Sequence, residues 1–177
     1  MNPRADRGRR EGGATNIVVA GLGGQGVLKA SDILAGAAFL AGLDVKKSEV
    51  HGMSQRGGSV ASDVRFGERV FSPMVSPGEA DFVLVLDPGQ IEVNRFMLAP
   101  GGMLIEPGTL AGCRLRSAKA WNVALLGALS RCLDFSEDLW DQALRANLPP
   151  KLVELNLEAF AAGRAAGTND AGRGPAK

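Results

Sequence analysis

Two short stretches hold the residue types that can bind or transform a small molecule. The first, GLGGQG, sets Gly21, Gly23 and Gly26 in G-x-G-x-x-G register, behind the apolar run NIVVAG and ahead of a helical pattern. In that setting the first glycine allows a tight turn, the second lets a phosphate approach the backbone, and the third lets helix pack on strand. Free N–H groups and the positive end of the helix then favour an anion. Gly24 and Gln25 complete the loop. A glycine-rich turn that packs on a neighbouring subunit without any ligand needs the same residues, and that reading stays open.

The second stretch is SEVHGMSQRGGSV, Ser48 to Val60, which contains the only histidine of the chain, His51. Its unperturbed pKa near neutrality suits acid–base work. Spacing supplies no orienting group or nucleophile beside it, so a hydrogen-bonded loop or interface histidine is the expectation. Ser54 does not sit in a G-x-S-x-G elbow. Arg56, followed by Gly57 and Gly58, is placed to meet a phosphate or carboxylate bidentately, or else to form an interface ion pair. Ser54, Gln55, Arg56, Gly57 and Gly58 are therefore candidates for binding, and no residue is assigned as catalytic.

Other polar candidates rank lower. Glu49 follows Gly26 by 23 residues, near the place where a dinucleotide-binding domain keeps its ribose-holding acid. Asp87 ends the run DFVLVLD, where it either reaches the same crevice or caps local backbone. Cys113 and Cys132 are far apart and form no C-x-x-C pattern, so neither a metal site nor an iron–sulfur cluster is expected on this chain alone.

The elements that must position these residues alternate between strand and helix. NIVVAG is a buried strand, and the stretch from Val27 to Ala41 repeats apolar residues at three- and four-residue spacing, with Gly42 as its stop. LDVKKSEV is a second strand. SVASDVRFGERVFSPM alternates Val60, Val64 and Phe66 against polar residues and predicts a β-hairpin turning at Gly67-Glu68 with a positive φ at the glycine. DFVLVLDP predicts a strand buried on both faces. A short helix over 91–98, a turn at APGG, the strand MLIEP and three C-terminal helices from about Lys119 complete the order, Ser136 being the expected N-cap of the middle one. The fold class is thus α/β: a Rossmann-like, mostly parallel sheet with flanking helices, an inserted β-hairpin and a helical C-terminal segment.

With 177 residues, 45% apolar and 22% charged, the chain fits one domain, placed at residues 15–163. Residues 1–14 form a basic tail and 164–177 a second tail, both without periodicity and expected to be disordered. Without residues 1–14 and the last eleven, the chain keeps 14 basic and 16 acidic residues, a balance with no footprint for nucleic acid. Neither an apolar membrane-spanning run nor a signal-peptide core is present, so the expected location is the cytoplasm.

Together, VVAGLGGQGVLKASDILAGAAFLAG, SEVHGMSQRGGSVASDVRFGE, SPMVSPGEAD and NLEAFAAG resemble the gamma subunit or gamma domain of the 2-oxoacid:acceptor oxidoreductases, nearest to the beta subunit of indolepyruvate ferredoxin oxidoreductase. The resemblance runs from about Asn16 to Gly163. It implies a heteromeric complex that oxidatively decarboxylates a 2-oxoacid, of aryl-pyruvate type by nearest likeness, on thiamine diphosphate, and symmetric assembly is the general expectation for such an oligomer. Electrons then pass through iron–sulfur clusters and the acyl group goes to coenzyme A. Thiamine diphosphate and clusters would sit on partner subunits, and this chain, inactive alone, would present Gly21, Gly23, Gly24, Gln25 and Gly26, with Ser54 to Gly58 as second wall, on the coenzyme A side. The competing readings are a free-standing dinucleotide- or ATP-binding enzyme and a ligand-free interaction module.

Overall fold

The computed structural model of the protein describes residues 13–51 and 57–166. Of His51 only the backbone is described, and Ser54, Gln55, Arg56, the first twelve residues and those after Ala166 lie outside.

Five strands, β1 (Thr15–Leu22), β2 (Asp44–His51), β3 (Ser59–Gly67), β4 (Ala80–Val85) and β5 (Leu98–Ile105), form one sheet in the order β2-β3-β1-β4-β5. β1 pairs in parallel with β4, and β4 with β5, while β3 runs antiparallel to both β1 and β2. Four strands therefore point the same way, with β3 alone reversed among them. β1 is central because its run of β-branched residues suits burial on both faces: Ile17, Val18, Val19 and Ala20 are at most 1% exposed.

The hairpin is present, but its arms differ from those expected. β3 pairs back onto β2 along its whole length, from Asp44 opposite Gly67 to His51 opposite Val60. The segment after Gly67 forms no strand, and Gly67 is not among the glycines with positive φ. Side chains hold that segment in place of a ladder. Arg65 donates to the carbonyls of Ser72 (2.9 Å) and Met74 (3.1 Å), and the amides of Val75 and Val70 donate to the carboxylates of Asp63 (2.9 Å) and Asp44 (2.7 Å). Pro73 and Pro77 within it have no N–H to give a ladder.

α1 (Val27–Leu40) stops where Gly42 takes a positive φ of 80°. A 3-10 turn at Pro88–Gln90 leads into α2 (Ile91–Asn94), and Arg95–Met97 is a second such turn. The expected turn at APGG is absorbed into β5, whose pairing with β4 skips between Leu98 and Met103 and accommodates Gly101 at φ 81°. α3 (Trp121–Ser130), α4 (Glu137–Asn147) and α5 (Pro150–Ala166) follow, and Ser136 caps α4 by accepting from the Leu139 amide. α5 runs on to Ala166, three residues past the expected end of the domain at Gly163.

The helices are unequally shared between the two faces. α1, α3, α4 and α5 pack over Ile17, Val19, Val64, Phe66, Phe82 and Leu84. A linked row of rings, Phe66, Phe135, Trp140 and Phe160, with centroids 5.2–5.7 Å apart, ties sheet to α4 and α5. α3 is buried from Val123 to Ser130, as a helix enclosed on all sides must be. The opposite face, with Val18, Val83 and Val85, is covered by the loop bearing Val75 and by the short helical stretch bearing Ile91 and Met97. A hairpin return to β3 needs no crossover helix, and that accounts for the thinner layer.

Candidate functional site

The glycine loop lies at the carboxyl end of β1, beside the carboxyl end of β4. From β1 the chain departs toward β2 and β3 on one side and returns as β4 on the other, which makes this the switch point of the sheet, where open α/β sheets hold ligands.

Its glycines have separate duties. Gly21 has no room for a side chain: a Cβ there would stand 2.9 Å from Gln25 Oε1 and 3.1 Å from Leu86 Cβ. Gly26, the residue before α1, has φ 84°, and a Cβ on it would run into the Asn122 amide, which donates to the Gly26 carbonyl at 3.3 Å. Gly24, at φ 90°, has no atom within 4 Å of where a Cβ would point, so this residue offers its backbone to open space.

Gly23 joins the two stretches singled out from sequence. Its N–H donates to the Gly58 carbonyl at 2.9 Å, and a Cβ on it would lie 3.2 Å from the Gly57 nitrogen. Gly57 and Gly58 thus meet the glycine loop backbone to backbone, Gly57 at φ 88°. The other three members of that second wall, Ser54, Gln55 and Arg56, lie outside the described residues. Ser59, the first residue of β3, donates to Gln90 Oε1 at 2.7 Å and so fastens the hairpin to the turn that follows β4.

Gln25 is committed to the fold. Its Oε1 accepts from the Leu22 amide and its Nε2 donates to Asp87 Oδ2, each at 2.8 Å. Asp87 uses its other oxygen to cap the turn at Gly89, also at 2.8 Å. The carboxylate therefore both caps local backbone and reaches the crevice loop. Glu49 does not sit where a ribose-holding acid would. β3 occupies the place beside β1, leaving Glu49 on the edge strand, 2.9 Å from Lys47, which also pairs with Asp32. Burial pulls the Lys47 ammonium down, but the two carboxylates outweigh it and hold its pKa above 10.5.

A cleft of about 540 Å³ opens beside the loop, between Gly24, Gln25 and Leu86 on one side and Lys119, Trp121 and Asn122 on the other. That volume lies within the range of small-molecule sites. The far wall comes from the start of α3, nearly a hundred residues downstream, and sequence reading did not find it. Its signal is faint: a lysine and an amide flanking a tryptophan at the head of an otherwise apolar helix. Among the described residues no group of three His, Cys, Asp or Glu side chains could hold a metal ion, and Cys113 and Cys132 are both half-buried free thiols. No described helix is long and apolar enough to cross a membrane.

Residues 16–111 and 106–166 match the family described as pyruvate ferredoxin/flavodoxin oxidoreductase. The chain is 35% identical to the indolepyruvate oxidoreductase subunit IorB of Thermococcus kodakarensis, over 84% of this chain and 93% of the relative. The protein of the same name from Pyrococcus horikoshii is 34% identical, over 82% and 92%. In fold, the chain resembles the gamma subunit of a keto/oxoacid ferredoxin oxidoreductase from Geobacter sulfurreducens, with a TM-score of 0.66 at 23% identity over 87% of this chain and 98% of that one. It also resembles part of the 2-oxoglutarate:ferredoxin oxidoreductase of Magnetococcus marinus, solved with 2-oxoglutarate, coenzyme A and succinyl-CoA, with a TM-score of 0.75 at 22% identity. Here 92% of this chain corresponds to 32% of that one. With nearly all of its described length matched by the family and by full-length relatives above 30% identity, the chain belongs to the pyruvate ferredoxin/flavodoxin oxidoreductase family, as a gamma-type member akin to IorB.

Proposed function

We propose that this chain is the small, cluster-free subunit of a cytoplasmic 2-oxoacid:ferredoxin-type oxidoreductase acting on an aryl-pyruvate, and that it forms the coenzyme A side of a site shared with its partner. The observation that carries this reading is the junction of Gly23 with Gly58, next in the chain to Gly24 and Gln25, which line the cleft. Two backbone corners and an open Gly24 make a surface on which a phosphate can lie close to main chain. The aryl-pyruvate preference is supported by the names of two relatives matched over more than nine-tenths of their length.

The residues fit coenzyme A better than they fit a cluster. Gly24 and Gln25 would receive the phosphate-bearing part along the loop, with Gly57 and Gly58 beside them, while two separate half-buried thiols are too few for a cluster. Coenzyme A, when bound, supplies the thiol that accepts the acyl group. What this chain contributes is placement: Gly23 holds the two loops together, and the Gln25 amide holds the loop to β4. Thiamine diphosphate and iron–sulfur clusters are assigned to partner subunits in a symmetric hetero-oligomer.

The test is reconstitution. The purified chain alone should reduce no acceptor with any 2-oxoacid, and co-expression with its thiamine-binding partner should give coenzyme A-dependent dye reduction. Full activity in the partner without this chain would overturn the proposal.

A further inference from the structure

The far wall of the cleft has chemistry of its own. Lys119 is exposed and, among the described residues, forms no ion pair with a carboxylate, whereas Arg95, Arg116 and Arg145 all do. Its side chain is not needed for the fold, because the local structure uses its backbone: the Lys119 N–H donates to Ser117 Oγ, the cap of the turn Ala118–Ala120. Trp121, next along the wall, packs partly against the core and keeps the rest of its indole at the cleft. Asn122 is already engaged with the Gly26 carbonyl, which locks this wall to the glycine loop. A cation and an aromatic ring therefore face an open loop backbone across a cleft of about 540 Å³.

Resting on the reading that coenzyme A enters this cleft, we propose that Lys119 and Trp121 are its specificity-determining wall. Lys119 meets a phosphate of the nucleotide end, and Trp121 gives the flat purine an apolar surface. A backbone cradle alone recognises any phosphate, since N–H groups and a helix end carry no information about what the phosphate is attached to. A point charge and a ring set a fixed distance from the cradle add that information, because both must be satisfied at once. The ligand class is thus a purine nucleotide bearing several phosphates, of which coenzyme A is one.

The experiment uses the full chain co-expressed with its thiamine-binding partner. Steady-state kinetics are run against coenzyme A for the unaltered complex and for Lys119→Ala, Lys119→Arg and Trp121→Ala. Loss of a charge-assisted contact should raise the KM for coenzyme A about tenfold in Lys119→Ala, with the loss falling on KM rather than kcat. Lys119→Arg should recover most of it, and Trp121→Ala should raise the same KM. A coenzyme A KM within twofold of the unaltered complex in both alanine variants would overturn this inference while leaving the proposed function standing. Turnover of the unaltered complex that ignores coenzyme A would sink both, and that control separates the two failures.

Discussion

Gln25 and Asp87, 62 residues apart, are joined by a 2.8 Å hydrogen bond from amide to carboxylate across the carboxyl ends of β1 and β4. The bond makes the glycine loop part of the sheet. Gln25 Oε1 turns back to the Leu22 amide, so one side chain closes the loop on itself and fastens it to the neighbouring strand.

Replacing Gln25 by glutamate keeps the acceptor for Leu22 but sets two carboxylates against each other. The expected loss is about 1–3 kcal/mol at neutral pH. The double variant Gln25→Glu with Asp87→Asn restores a donor–acceptor pair and should recover more than half of it. Urea denaturation of the two singles and the double gives the coupling directly, and additive losses would contradict the pairing.

Gly23→Val acts on function before stability. A Cβ at this position would already lie 3.2 Å from the Gly57 nitrogen, and two further methyl groups force the loops apart. In the assembled complex the KM for coenzyme A should rise by at least tenfold, with the 2-oxoacid KM changed far less. Equal effects on both would indicate a general collapse of the site.

Gly163 on α5 faces the Ala124 carbonyl on α3, and Gly127 on α3 faces the Phe160 carbonyl on α5, each with no room for a Cβ. Gly163→Leu should therefore cost at least about 3 kcal/mol through overpacking of two helices that cannot separate without uncovering the core. A shift in the thermal midpoint of less than a few degrees would show that the crossing can relax.

Asp63 has a pH signature of the less common sign. Burial raises its pKa above 3.8, against the opposing pull of the Val75 N–H and of Arg65. The folded state then binds this proton more tightly than the unfolded chain does. Its contribution to stability falls as pH rises from 3.8 through the raised value and stays low above it. Asp63→Asn, which keeps an acceptor for Val75, should remove that slope, and stability profiles of the two proteins between about pH 3 and 7 should converge at the acid end.

Elements carried by local pattern were legible in the sequence. β1 and β4 announce themselves as continuous apolar runs, and α1 by its stripe and by Gly42. The partner of β3 was not legible, because the segments before and after it were both plausible arms. The choice rests on Asp44, Asp63 and Arg65 capturing distant main chain, which has no local signature. The site divides in the same way. The glycine loop is a contiguous motif, while Lys119, Trp121 and Asn122 reach it only through the seating of α3 against the sheet.

The placement of β1 sets a hazard in synthesis. It is the first of the described strands to be made, yet both of its sheet neighbours, β3 and β4, come later in the chain. Until Ser59–Gly67 has left the ribosome, Ile17 to Ala20 stand as a β-prone apolar segment with two open edges. A nascent chain stalled before that point has neither of this segment's native strand partners, and another stalled copy can stand in for them.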